Sequence, residues 1–223
     1  MSANSIKISS DNNTLQEEFK SIALNISAML KGEGKTVRPF VEGLPHFSKL
    51  PTEKKLHIIQ QVRFYQELCQ GQLNDGYKIS DSPTFTWRAF RHLGLAPCKD
   101  FFSFLTQDDI VEIYSKDQIQ LFRNFTFFDF CSYTLEELYT FEWWNLFQRE
   151  EKHTQMILDE VAKVISGEIQ SAYEPGLPTH ELREIRSAER YSMTMSLRCL
   201  APVYKNKQLE GLVVLERARF LNN

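Results

Sequence analysis

A change of hydrophobic period along the chain most constrains what it can fold into. Tyr191, Met193, Met195, Leu197 and Cys199 alternate with Ser192, Thr194, Ser196 and Arg198. That period of two places one apolar row inward and one polar row outward, as in a half-buried strand. Up to residue 107 the apolar residues recur instead at steps of three and four, the spacing of a helix face. From Asp109 the order reads two strands, several helices, then two or three antiparallel strands. This order predicts an α+β fold, an antiparallel sheet with helices on one face, preceded by an all-helical N-terminal region.

Three helices are predicted before residue 107. Thr14-Leu15-Gln16-Glu17 has the form of a capping box, and Leu15, Phe19, Ile22, Ile26, Met29 and Leu30 follow as one apolar stripe ending near Gly32. Pro51 suits the first residue of a second helix, because it needs no amide donor there. Ile58, Val62, Tyr65 and Cys69 mark its buried face, and it is expected to stop near Gly71 with a turn at Asn74-Asp75-Gly76. The third, Pro83 to Leu93, carries Phe85, Trp87, Phe90 and Leu93 and ends at Gly94, a left-handed terminator. Asp109–Ser115 and Ile119–Arg123 read as a strand pair, Asn124–Phe147 as several short helices, and Arg149–Ile165 as a longer one with Met156, Ile157, Val161 and Val164 inward. Lys205-Asn206-Lys207-Gln208 turns the last strand pair. The division is therefore a tail at 1–13, a helical region at 14–107 and a second unit at 108–223.

Composition excludes several classes. The net charge of −3 divides into 13 Lys+Arg against 10 Asp+Glu in residues 1–107 and 13 against 19 in 108–223, so neither half carries the charge of a strong nucleic-acid binder. No apolar run reaches the roughly 20 residues of a membrane span, and no secretory signal is readable, so a cytoplasmic protein with no membrane partner is expected. Cys69, Cys98, Cys131 and Cys199 are too far apart for a CxxC motif and read as reduced, buried thiols. Ten of the 17 Phe fall between 101 and 147, a dense core or a pocket.

Arg123-Asn124-Phe125 after the second strand, then Ser132-Tyr133-Thr134-Leu135-Glu136-Glu137-Leu138, then Trp143-Trp144-Asn145-Leu146-Phe147 before the long helix, resemble the PAS sensory domain family. The closing Ala201-Pro202-Val203-Tyr204, turn and Leu209-Glu210-Gly211-Leu212-Val213-Val214 is similar to that family's final hairpin. The likeness covers about residues 108–220. Two positions depart from it: Ser132 stands where the family has Gly, and Arg149-Glu150-Glu151 where it has Pro-Glu-Asp. The resemblance implies sensing or protein association and names no ligand. Residues 1–107 carry no recognised family pattern.

The candidate ligand-binding set is Phe122, Asn124, Phe128, Trp143, Trp144, Met156, Met193 and Met195. The aromatic and methionine members can line a cavity for an apolar small molecule or simply fill a core. Asn124 more readily hydrogen-bonds backbone at the strand-to-helix turn than ligand. His153 lies one turn before Met156 and Ile157, where some haem-binding PAS sensors carry their iron ligand; a neutral imidazole there could coordinate haem, or simply cap the helix. The asparagine-cysteine-arginine motif of flavin photochemistry is missing, so flavin is not expected, and Cys131 reads as a small buried apolar residue. Gly34-Lys35-Thr36 lacks the earlier glycine of a phosphate loop and reads as a helix-terminating loop. The five histidines show no metal spacing, and no nucleophile elbow is present.

The expected function is a non-enzymatic sensory or interaction module whose ligand or partner shifts the packing between sheet and N-terminal helices. The nearly heptad spacing of the first helix points to self-association, with a signalling protein as the other class of partner. An alternative is a transcription regulator in which the third helix reads DNA through Arg88 and Arg91; there Trp87 and Phe90 are buried if the helix is instead only a cap on the sheet.

Overall fold

The structure, a computed structural model, describes residues 12–221. The tail assigned to residues 1–13 therefore lies outside it except for Asn12 and Asn13, which open the first helix. Helix α1 (Asn12–Lys31) buries Leu15, Phe19, Ile22, Ala23, Ile26 and Leu30 in a core shared with Ile58, Val62, Leu68 and Cys69 of α2 (Thr52–Asn74). The stripe that pointed to self-association is thus occupied by the chain's own second helix. Pro51 stands just outside α2 as its N-cap rather than inside it. Helix α2 also runs past Gly71 to Asn74; the glycine gives room to a neighbour instead of a stop, since an added Cβ would stand 3.0 Å from Nη1 of Arg88. Helix α3 (Ser82–Leu93) starts on Asp81, whose carboxylate accepts from the Thr84 N–H, and stops at left-handed Gly94.

One antiparallel sheet follows, made by β1 (Ala96–Pro97), β2 (Ile110–Ser115), β3 (Gln120–Arg123), β4 (Phe147–Gln148), β5 (His180–Glu184), β6 (Ser192–Lys205) and β7 (Gln208–Phe220). Its order is β3-β2-β7-β6-β5-β4, with β1 pairing the far end of β6. Helices α4 (Phe101–Phe104), α5 (Leu135–Thr140) and α6 (Glu151–Ile165) and two 3-10 turns, Phe125–Asp129 and Trp143–Asn145, complete it. Strands β1 and β4 are too short to show a period. Strand β5 escapes hydropathy for a different reason: its inward residues are His180, Leu182 and Glu184, so two of three are polar. The β6–β7 turn puts Asn206 and Lys207 at φ of 51° and 67°, the twist that a two-residue hairpin needs.

The inward row of β6 does not continue as a simple alternation. Met193, Met195 and Leu197 pack with Ile110, Leu182, Leu212 and Val214 on one face, but a bulge between Leu197 and Cys199 inserts Arg198. Cys199, Ala201 and Val203 consequently join Val213 and Leu215 on the opposite face, in the core built by α1, α2 and α3. Tyr191 precedes the strand and is exposed. The expectation of helices on one face is corrected accordingly: α6 covers one face through Ile157, Val161 and Val164, and α1–α3 cover the other. Residues 14–107 and 108–221 share a core.

Polar contacts weld the two regions. The buried Glu136 carboxylate accepts from the backbone N–H groups of Val41, His46 and Phe47 at 3.1, 2.9 and 2.9 Å. Leu135 and Glu136 donate in turn to the carbonyls of Arg38 and Pro39, and Lys35 pairs with Asp129 at 2.5 Å. Asp109 accepts from Arg198 and Arg217 at 2.5 and 3.1 Å and from the Thr106 N–H at 2.8 Å. Between β2 and β7 the backbones leave no room for a side chain at Gly211, where a Cβ would stand 1.9 Å from the Tyr114 carbonyl oxygen. Gly211→Ala is expected to cost about 3 kcal/mol in urea unfolding, the upper end of overpacking penalties; an unchanged midpoint would contradict this register.

Candidate functional site

A cavity of about 320 Å³ lies between the sheet, α6 and the segment carrying Trp143. Its sheet wall is Leu197, Leu200, Leu212 and Val214, its helix wall Ile157, Leu158 and Val161, and Trp143 and Trp144 close a further side. These sheet residues are where the bulge and the register put them. Leu212 and Val214 alternate with Val213 and Leu215, which face the helical core. Apolar walls of this kind bind by burial, and a few polar groups then orient what is bound.

The ionisable polar groups are Glu112, Tyr114, Arg123, Arg149 and Glu216. Glu112 and Glu216 share a face because β2 and β7 pair Ile110 with Glu216 and Glu112 with Val214. Glu112 is satisfied: Arg123 ion-pairs with it and the Tyr114 hydroxyl donates to it. The Arg123 guanidinium also lies 4.0 Å over the Phe127 ring. Burial, with Glu112 beside it, pushes the Tyr114 hydroxyl well above the usual range. Burial and then repulsion from Glu112 push Glu216 up to about 7, against the opposing pull of Arg149 and Arg123. Among the described residues neither Glu216 nor Arg149 has a side-chain hydrogen bond or an ion pair. The buried Nε of Arg149 and the indole Nε1 of Trp143 have no hydrogen-bond partner.

A second crevice of about 320 Å³ separates α2 from β3 and α5. It is lined by Ile58, Tyr65, Phe122 and Tyr139, and it shares Arg123 and Trp143 with the first cavity. Tyr65 joins its two sides: its hydroxyl accepts from the Arg123 N–H at 2.5 Å and donates to the Arg123 carbonyl at 2.9 Å. Arg123 is the last residue of edge strand β3, and Tyr65 supplies its backbone with the partner that a further strand would provide.

Of the residues singled out in the sequence, Trp143, Trp144 and Met195 line the first cavity and Phe122, Phe128 and Trp143 the second. Met193 is fully buried in the adjoining core, and Met156, half-buried on α6, lines neither. Asn124 is buried and committed within the chain. Its Oδ1 accepts from the Val111 N–H at 3.1 Å, and its Nδ2 donates to Asp109 O and Ser82 Oγ at 2.8 and 2.7 Å. His153 is not among the cavity's residues. Its ring stacks on His180 with centroids 5.3 Å apart, and Nδ1 lies 3.5 Å from a Glu150 oxygen. Burial and the Arg149 charge push His180 down to about 4. All four cysteines are free and buried, and burial raises the Cys131 thiol to about 12. Arg88 is held by Asp75 at 2.5 Å and by Gln72 at 3.0 Å. Arg91 lies 4.8 Å over the ring of Trp87, which is exposed rather than buried. Among the described residues no group of three His, Cys, Asp or Glu could hold a metal, and no helix is long and apolar enough to cross a membrane.

Sequence reasoning missed the polar floor, namely Glu112, Arg123, Arg149 and Glu216. Its one legible signal is a charge interrupting an apolar strand in an inward register, as in Ile110-Val-Glu112-Ile and Leu212-Val-Val-Leu-Glu216. No protein-family model matches the chain, and no curated protein matches it. Because its folded pKa lies above that of an unfolded glutamate, Glu216 binds a proton in the folded state that the unfolded state has lost between pH 4.5 and about 7. Stability should therefore fall as pH rises through that window. Glu216→Gln should flatten the decline and be the more stable protein above pH 7 in thermal melts at fixed ionic strength.

Proposed function

We propose that residues 108–220 form a PAS-like sensory module that binds a small amphipathic molecule in the sheet-facing cavity and relays occupancy to the N-terminal helices. The observation that carries this reading is that the cavity and the crevice beneath α2 have Arg123 and Trp143 in common. A molecule that displaces the Arg123 side chain acts on a residue whose backbone is held by Tyr65 of α2. The opening strand pair β2–β3 and the final hairpin β6–β7 lie side by side with the long helix α6 across them, in keeping with the family resemblance. The relay works by population shift: a ligand favours whichever arrangement of Arg123 and α2 it binds more tightly. The reading assigns the chain no catalytic step, and its output is a change in the surface of the helical region available to a signalling partner. The DNA-binding alternative relies on Arg88 and Arg91, and both side chains are already engaged within the chain.

Thermal-shift screening with small apolar and amphipathic compounds is the test. A ligand present at about 100 times its Kd should stabilise the protein by about 2.7 kcal/mol. It should also alter amide hydrogen exchange in α2 around Tyr65. Val161→Trp, which fills the cavity from the half-exposed helix wall, should abolish both effects while leaving the fold intact. Binding that survives Val161→Trp, or that leaves α2 exchange unchanged, would refute the relay. A Soret band in the purified protein that His153→Ala removes would replace this reading with a haem sensor.

A further inference from the structure

We propose that the molecule taken by the sheet-facing cavity is a small apolar carboxylic acid whose carboxylate is held by Arg149. The inference rests on the ligand-binding reading above and specifies the ligand's head group. Two charged side chains at this cavity, Glu216 and Arg149, act on each other through space but make no ion pair or hydrogen bond among the described residues, and they differ in how they can respond. Glu216 can shed its charge by taking up a proton, whereas a guanidinium keeps its charge at any pH at which the protein is folded. Arg149 is therefore the group free to take an acceptor from outside: its side chain is half-buried, and its Nε is buried without a partner. Of the other carboxylates nearby, Glu112 holds Arg123 and Tyr114, and the exposed Glu150 carboxylate lies 3.5 Å from His153 Nδ1.

A second observation points the same way. Arg149 immediately precedes α6, whose N-cap Glu150 places no side-chain oxygen on the helix amides. Thr154 in the first turns of α6 lines the cavity beside Arg149. The Thr154 N–H is already bonded to the Glu150 carbonyl, so α6 adds the field of its N-terminal end and no free amide to what Arg149 offers. The indole Nε1–H of Trp143 is a second donor without a partner, on the side of the cavity that Trp143 and Trp144 close. Ile157, Leu158, Leu200 and Val214 offer apolar contact, and the floor beside them carries Glu216 and the Glu112–Arg123 pair. Unpartnered donors on Arg149 and Trp143 beside apolar walls describe a monocarboxylate with an aromatic or aliphatic body of about a dozen heavy atoms, since a cavity of this size stands at the small end of ligand pockets.

The experiment compares four probes with one body: phenylbutyrate, phenylbutyramide, phenylbutylamine and butylbenzene. Binding is read from the fluorescence of Trp143 and Trp144 in a Trp87→Phe background, with titration calorimetry as the check. Phenylbutyrate is expected to bind at least tenfold more tightly than the other three. Arg149→Gln should weaken it tenfold or more without changing butylbenzene binding, and Arg149→Lys should recover part of the loss. Amide or amine binding as tight as the acid, butylbenzene binding without the acid, or an unchanged phenylbutyrate affinity in Arg149→Gln would each overturn the carboxylate assignment and leave the cavity reading intact. If none of the four binds at millimolar concentration, the cavity reading itself fails and this inference falls with it.

Discussion

The β6–β7 ribbon is apolar on both of its faces, and most of the architecture answers that constraint. Gly211 through Leu215 are buried without interruption, with Leu212 and Val214 facing one way and Val213 and Leu215 the other. A ribbon of this kind cannot leave either face in water, since each fully buried aliphatic side chain represents about 1.5–3 kcal/mol of transfer free energy. Helix α6 covers one face, and α1–α3 must cover the other. The N-terminal helices are thus part of the same core. Buried Glu136, which gathers three amides from the segment between α1 and α2, fixes where that helical layer sits. Removing its carboxylate would strand three donors at once.

Arg123 stands at the junction of both layers. Its backbone closes the edge of the sheet against Tyr65, and its guanidinium reaches Glu112 at the floor of the cavity. Burying an ion pair costs desolvation energy that Coulomb attraction offsets only when the geometry is good and the remaining polar atoms are satisfied. Glu112 meets that condition by also accepting from Tyr114. Such a network has few alternative arrangements, and this suits it to a two-state response better than a hydrocarbon contact that deforms continuously.

The unpaired charges around the same cavity reduce stability. The buried Nε of Arg149 and indole Nε1 of Trp143 are without partners, and burial disfavours the charged form of Glu216. Stability sacrificed locally is common where a surface is kept ready for something that is not part of the chain. Asn124, by contrast, satisfies both ends of its amide within the protein, through Val111, Asp109 and Ser82, and its work is to tie the start of β2 to the end of β3 and to α3.

Much of the fold was legible because periodicity is a local property. The stripes of α1 and α6, the cap of α3 and the turn at Asn206-Lys207 follow from residue spacing and from which residues tolerate a given φ. The sequence by itself determined that there would be helices, then an antiparallel sheet, and that Trp143, Trp144 and Met195 were candidates for one site. Three things it did not determine. The bulge at Arg198, which sends Cys199 to the opposite face from Leu197, has no hydropathy signature, because both residues are apolar. Strand β5 points His180 and Glu184 inward, reversing the pattern on which strand detection depends. The meeting of Glu112, Arg123, Arg149 and Glu216 joins residues up to 104 positions apart (216 − 112). Only the pairing of β2 with β7 and the docking of α6 bring them together, because burial and charge act through space and spacing along the chain does not record them.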